Sequence, residues 1–169
     1  MEFKKVIMSR KSCRAYTDRA VEAEKLEAVV TSASLAPLGV PKMGKPHLTV
    51  VTNKEMLKTL GYQAGPERDS IYGAPALIIV SCPESYPGIA EMNAACVVEI
   101  MSFAATDLGL GNIYLYGVCA QLQNNEALKK EIGIPENMRP LSALALGYGA
   151  EDVAECKAFE KVLSENCIE

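Results

Sequence analysis

Apolar positions along the chain fall alternately into helical and strand periods. Phe3, Val6 and Ile7 share one face of a short helix that stops near Ser9 and Arg10. From Val21 onward, Leu26, Val29, Val30 and Ala33 make the i, i+3, i+4, i+7 stripe of an amphipathic helix. Glu22 and Glu24 suit its positive end, and Pro37 and Gly39 close it. Residues 38–46 hold two glycines and two prolines, so they read as a loop, and Leu48-Thr-Val-Val-Thr52 follows as a β-branched strand. Asn53 caps a helix through Leu60, and residues 61–73 read as an exposed polar loop. Beyond Pro75, the apolar run Ala76-Leu-Ile-Ile-Val-Ser81 suits a strand covered on both faces.

Residues 89–108 predict a long helix. Met92, Cys96, Val97, Ile100, Phe103, Ala104 and Leu108 lie on one stripe, while Ala94, Ala95, Val98, Met101 and Ala105 fill much of the rest. A helix apolar nearly all round has to be covered nearly all round, and the same helix of a second copy is one way to do it. Gly109 and Gly111 close it before a third strand, Ile113-Tyr-Leu-Tyr116. Asn124 or Asn125 caps a helix ended by Gly133 and Pro135, and residues 141–148 are a fourth strand. A charged, cysteine-bearing tail from Glu151 carries a helical pattern near Phe159 to Leu163. With no internal repeat and no linker, the expectation is one layered α/β or α+β domain over residues 1–169.

Composition narrows the function. With 49% hydrophobic and 22% charged residues the chain is globular rather than disordered. Seventeen Lys+Arg against 21 Asp+Glu give a net charge of -4 with no basic block. That argues against nucleic-acid or membrane-surface binding and for small-molecule or protein partners. The first twenty residues lack a signal-type apolar segment, and no stretch has the uncharged apolar length of a membrane span, so a soluble cytoplasmic protein is expected. Six cysteines without a Cys-x-x-Cys pair, and one histidine, His47, with no cysteine near it, predict no metal centre. Cys82, Cys96 and Cys119 sit in apolar runs and read as buried core fillers of a reducing compartment.

The sharpest local chemistry is Arg10-Lys11-Ser12-x-Arg14, three cations and a hydroxyl within five residues at a helix exit. Arginine forks recognise phosphate bidentately, lysine adds a point charge and serine a short donor, so the run fits a terminal phosphate; a solvated basic turn is the alternative. Gly109-Leu-Gly111 is not a dinucleotide fingerprint, because it follows a helix and opens a strand, the reverse of what that site requires. It reads as a helix C-cap. His47 lies in a Gly/Pro-rich loop with nothing marking a nucleophilic serine, which disfavours hydrolase chemistry.

Taken in order, Arg10-Lys11-Ser12-x-Arg14-x-Tyr16, the helix ending Ala36-Pro37-x-Gly39, Thr49-Val-Val-Thr52, the long helix ending Leu108-Gly-Leu-Gly111, and Arg139-Pro140 before Leu144-Ala-Leu-Gly-Tyr148 resemble the FMN-dependent nitroreductase family over nearly the whole chain. The resemblance implies an α+β, three-layer fold with a mixed four- to five-stranded sheet flanked by helices. It also implies a long buried helix at the interface of an obligate homodimer with two FMN sites. The implied activity passes electrons from NAD(P)H through flavin to a nitroaromatic, quinone or similar acceptor by a ping-pong route, with no catalytic side chain because the flavin carries the chemistry. By this match Arg10, Lys11 and Ser12 hold the FMN phosphate and ribityl chain, and Arg14 approaches the ribityl or the N1/O2 edge. Pro37, Leu38 and Gly39 reach the flavin of the partner subunit. Tyr114, Leu115, Tyr116 and Gly117 cover the isoalloxazine with a backbone N–H near N5, and Lys157 is the further basic residue toward the phosphate. The chain departs from the family at Leu38, where serine is usual, and at Lys45-Pro46-His47, where Gln-Pro-Trp is usual. Two other readings stay open, a flavin-binding but redox-inactive member and a small anion-binding regulatory protein without flavin.

Overall fold

The computed structural model describes residues 2–40, 42, 44–150, 164 and 166–168. Its elements are α1 (Phe3–Ser9), α2 (Ala23–Ser32), β1 (His47–Val51), α3 (Lys54–Gly61), β2 (Ala76–Pro83), α4 (Ile89–Asp107), β3 (Gly111–Leu115), α5 (Gly117–Leu122), α6 (Glu126–Glu131) and β4 (Met138–Gly147). The strands form one four-stranded sheet in the order β1-β2-β4-β3, every neighbouring pair antiparallel. The four strands expected are there. The only parallel pairing among the described residues is the isolated bridge between Ser12 and Asn112.

The two most apolar strands, β2 and β4, take the centre, where both faces are covered. Because successive side chains point to opposite faces, Ile78, Val80, Leu144 and Leu146 meet α2 and α4, while Leu77, Ile79, Ala143 and Ala145 meet α3, α5 and α6. The result is three layers and two cores. Truncating a fully buried residue such as Leu144 costs roughly 2–5 kcal/mol. Cys82 and Cys119 are fully buried within these cores, and burial pushes their thiols up to about 11 and about 12, so both stay protonated fillers. Cys96, by contrast, is only half-buried.

Four expectations need correcting. First, α2 ends at Ser32 and passes into a 3-10 turn at Ala33–Leu35, ahead of the Pro37 and Gly39 stop. Second, α5 was not foreseen: it begins at Gly117, directly after Tyr116, which already has helical dihedrals and acts as its N-cap. Third, residues 61–73 are held by their own contacts. Asp69 accepts hydrogen bonds from the N–H groups of Ile71 (2.9 Å) and Gly73 (2.6 Å), and Ile71 is buried. Fourth, the inward face of α4 is the small-residue face, Ala90, Ala94, Val97, Val98, Met101 and Ala105, which lets the helix lie close on the sheet. Its opposite face leaves Met92 69% exposed and Cys96, Ile100 and Phe103 partly so. The helical pattern near Phe159 to Leu163 lies outside the described residues.

Candidate functional site

The basic run leaves α1 at Arg10, whose backbone N–H still donates to the Val6 carbonyl (3.0 Å), and then lies along the outer edge of β3. Ser12 bridges to Asn112, and the Cys13 N–H donates to the Asn112 carbonyl at 2.9 Å. Gly111 makes this approach possible. A Cβ built there falls 2.8 Å from Cys13 Sγ and 3.1 Å from Cys13 Cβ. Ser12 and Arg14 are exposed and Arg10 and Lys11 half-buried; among the described residues neither arginine is paired with a carboxylate. Two cationic forks and a hydroxyl on a backbone fixed to a sheet edge fit a phosphate.

What fixes that edge is a buried polar knot. Asn112 accepts from the Ser102 hydroxyl (2.7 Å) and donates to Thr106 Oγ1 (3.0 Å), while the Thr106 hydroxyl donates to the Ser102 carbonyl (2.8 Å). All three are buried, so β3 is tied to the C-terminal half of α4 with its polar atoms satisfied. Downstream, Tyr16 donates to the Ala145 carbonyl (3.2 Å), and burial, with Cys13 beside it, pushes its phenol well above the ordinary range. Tyr16 therefore packs as a neutral phenol.

A second cluster holds the exit of β4. Tyr148 donates to Glu22 Oε2 (2.6 Å), Lys25 donates to Tyr148 Oη (2.9 Å) and to the Leu108 carbonyl (3.1 Å), and the Arg19 guanidinium lies 3.9 Å over the Tyr148 ring. The Tyr148 hydroxyl, then the Glu22 backbone and Arg19, hold the Glu22 carboxyl down to about 2. Because the Tyr148 backbone carbonyl also accepts from the Thr17 N–H at 2.8 Å, the cluster steadies the segment that carries Arg14.

Residues 37–39 lie elsewhere, against the start of α4. Asn93 accepts from the Gly39 N–H (2.8 Å) and donates to the Gly39 carbonyl (3.1 Å). Near it, Arg139 pairs with Glu91. Partial burial pushes the Glu91 carboxyl up, but backbone N–H donors, Gly88 among them, and Arg139 hold it below its usual range. Asn93 and Ser102 stand nine residues apart on α4, so the anchors of the two predicted groups are separated by roughly 13 Å along the helix axis. Within one chain the two groups are thus anchored at different points along α4.

The chain does set residues 10–14 beside β3, which carries Tyr114 and Leu115 and leads directly into Tyr116 and Gly117. Tyr114 (43% exposed) shares the strand face of Asn112, and Tyr116 (65% exposed) and Gly117 turn outward into α5. Leu115 departs from expectation. Its side chain is buried in the core beneath α5, which leaves only its backbone for a ligand. Lys157 lies outside the described residues. An open depression lined by Val50, Thr52, Asn53, Met56, Glu131 and Ile132 sits at β1, the opposite sheet edge, remote from all these residues.

The Nitroreductase family profile matches residues 7–148, a span that includes the basic run, the Asn93 loop, all four strands and Tyr148. The chain belongs to the nitroreductase family. A provisionally named NADH dehydrogenase/NAD(P)H nitroreductase of Methanothermobacter thermautotrophicus is 32% identical over 164 residues, covering 95% of this chain and 84% of that protein. A nitroreductase of Bacteroides fragilis solved with bound FMN superposes with a TM-score of 0.87 at 28% identity over 100% of both chains. A second from Desulfitobacterium hafniense, also with bound FMN, gives 0.83 at 26% over 100% of this chain and 99% of that one. The oxidoreductase fold of this nitroreductase family member is thereby established. Asn93, Asn112 and the Tyr148 cluster escaped the sequence reading, although an isolated asparagine in an apolar helix and another in an apolar strand were the available signals.

Proposed function

We propose that the chain is an FMN-dependent oxidoreductase that passes electrons from NAD(P)H to a quinone, nitroaromatic or similar acceptor as a homodimer. The observation that carries this is the basic run held rigidly on the exposed edge of β3, in a family fold whose neighbours were solved with FMN. FMN when bound supplies the hydride acceptor and the electron donor. Arg10, Lys11 and Ser12 would hold its phosphate, Arg14 the ribityl or the N1/O2 edge, and Tyr114, Tyr116 and the backbone of residues 115–117 would border the ring. Pro37, Leu38 and Gly39 would serve the flavin of the second copy, since their anchor stands at the other end of α4.

Dimerisation is supported by the surface of the single chain. Phe3 (68% exposed), Leu35 (79%) and Met92 (69%) stand open with the half-buried Ile100 and Phe103, and Phe3 meets Phe103 edge to face. An apolar face of this kind marks a binding surface.

The test begins with the visible spectrum of fresh protein and titration of apoprotein with FMN and riboflavin. Tight FMN with weak riboflavin is expected, because only FMN offers the phosphate; equal binding refutes the role of the basic run. Anaerobic NADH or NADPH should bleach the flavin band. Holoprotein reduced by dithionite but by neither nicotinamide would favour the redox-inactive reading, which the exposed, apolar Leu38 supports.

A further inference from the structure

We infer that Asn93 is a positioning residue, whose side-chain amide fixes the backbone of Gly39 and so presents Leu38 to the flavin pocket. This rests on the proposed FMN site. The geometry is unusual for a loop contact: a single amide takes both the N–H (2.8 Å) and the C=O (3.1 Å) of one residue, as one rung of a sheet ladder would. Asn93 is only 4% exposed and rises from the packed face of α4, so it is the rigid member, and the loop conforms to it.

The residues it holds are otherwise outward. Pro37, Leu38 and Gly39 are all exposed, Leu38 at 39%. Val40, immediately after the clamp, has φ +51, a left-handed conformation that a β-branched residue avoids unless its surroundings impose it. Gly39 itself does not require glycine. Its φ is not left-handed, and an added Cβ would meet Ile89 Cγ2 at 3.5 Å and Asn93 Oδ1 at 3.6 Å, both ordinary contacts. What the position requires is its two backbone hydrogen-bonding groups. The clamp on Gly39 and the fixed φ of Pro37 restrain the backbone on either side of Leu38, and in the proposed dimer this would hold the leucine toward flavin and acceptor.

The chemistry selects the variants. Asn93→Asp keeps the shape but sets a carboxylate oxygen against the Gly39 carbonyl, losing one bond and adding repulsion. Gly39→Pro removes the N–H donor from the exposed side without touching α4. FMN affinity is read by fluorescence titration of apoprotein, and the fine structure of the flavin absorption band and the KM and kcat for a quinone with NADH on holoprotein, with light scattering for mass.

Asn93→Asp and Gly39→Pro should each weaken FMN by roughly tenfold, blur the flavin band and raise quinone KM several-fold with kcat nearly unchanged. Leu38→Ala should reproduce the KM change, and adding Asn93→Asp to it should shift KM less than twofold further, because the clamp acts through Leu38. Native-like flavin spectra and KM in both Asn93→Asp and Gly39→Pro, or KM effects of Asn93→Asp and Leu38→Ala that multiply in full, would overturn the inference. If Asn93→Asp does not fold, Gly39→Pro decides. Native protein that fails to bind FMN overturns the proposed function itself, an outcome distinct from a native protein that binds it and variants that bind equally.

Discussion

Gly111→Ala is the most direct way to ask whether the basic run must lie on β3. The added methyl would sit 2.8 Å from Cys13 Sγ, 3.1 Å from Cys13 Cβ and 3.4 Å from the Gly149 backbone nitrogen. The first distance is roughly 0.7 Å inside the ~3.5 Å of a favourable contact. Rotating Cys13 could carry its sulfur away, at the loss of its hydrogen bond to the Ala15 carbonyl (3.2 Å), but Cβ cannot move without the backbone. The turn carrying Arg10 to Arg14 must therefore shift or stay strained. Overpacking of this kind costs roughly 1–3 kcal/mol, and releasing the Cys13 N–H from Asn112 about 1 kcal/mol more. If the turn stays, the cost appears as a Tm loss of roughly 2–4 °C per kcal/mol. If it moves, the cost appears in FMN affinity, about tenfold for each 1.4 kcal/mol. Calorimetry of the apoprotein together with FMN titration reads both, and their sum should come to roughly 2–4 kcal/mol. Adding Cys13→Gly, which removes both close atoms, should restore most of it. A Gly111→Ala protein with native Tm and native FMN affinity, or one that Cys13→Gly fails to rescue, would refute the reasoning.

Other consequences can be measured alongside. Arg10→Ala should weaken FMN by roughly 1.5–3 kcal/mol while leaving far-UV circular dichroism and the weak riboflavin binding unchanged, as loss of one charge-assisted hydrogen bond requires. Asn112→Leu strands the Ser102 hydroxyl in the core and should lower urea stability by roughly 2–3 kcal/mol. Glu22 is ionised down to about 2 in the folded chain against its ordinary 4.5, so its contribution is complete above 4.5 and is lost as the pH falls from 4.5 through 2. Glu22→Gln should therefore lower the urea midpoint at pH 7 and lose less than the native protein between pH 4.5 and 2. Ile100→Asp should halve the mass seen by light scattering at micromolar concentration and deplete bound flavin, whereas an unchanged mass would place the dimer contact elsewhere.

How much of this was legible in the sequence follows from the range of each interaction. Both central strands could be read because burial on two faces writes a predominantly apolar run into β2 and β4. Helix α4 could be read as a helix but not oriented. Its two faces are equally apolar, and what turns Ala90, Ala94 and Ala105 inward is close approach to the sheet, a matter of size that hydrophobic period does not encode. Helix α5 was hidden by its length: Val118, Cys119 and Leu122 face the core at helical spacing, yet six residues after a strand are too few for a period to stand out.

For the site, legibility divides along the same line. Residues 10–14 announce themselves because the cations and hydroxyl a phosphate needs are contiguous. Asn93 and Asn112 do not, since each derives its role from a partner that local pattern cannot name: Gly39 lies 54 residues away across a loop, and Asn112 becomes a knot only once the chain has turned back on α4. The loop at residues 37–39 is a harder case still, because the proposed function gives it a partner in a second copy. Its anchor stands roughly 13 Å along α4 from that of the basic run, which suits a ligand shared with the run of another copy. The exposed apolar stripe of α4 between those two anchors is then no accident of composition. A second copy packed along Met92, Cys96, Ile100 and Phe103 in the opposite sense would set the Asn93 end of one helix beside the Ser102 end of the other and complete two equivalent sites at once, as an isologous contact must.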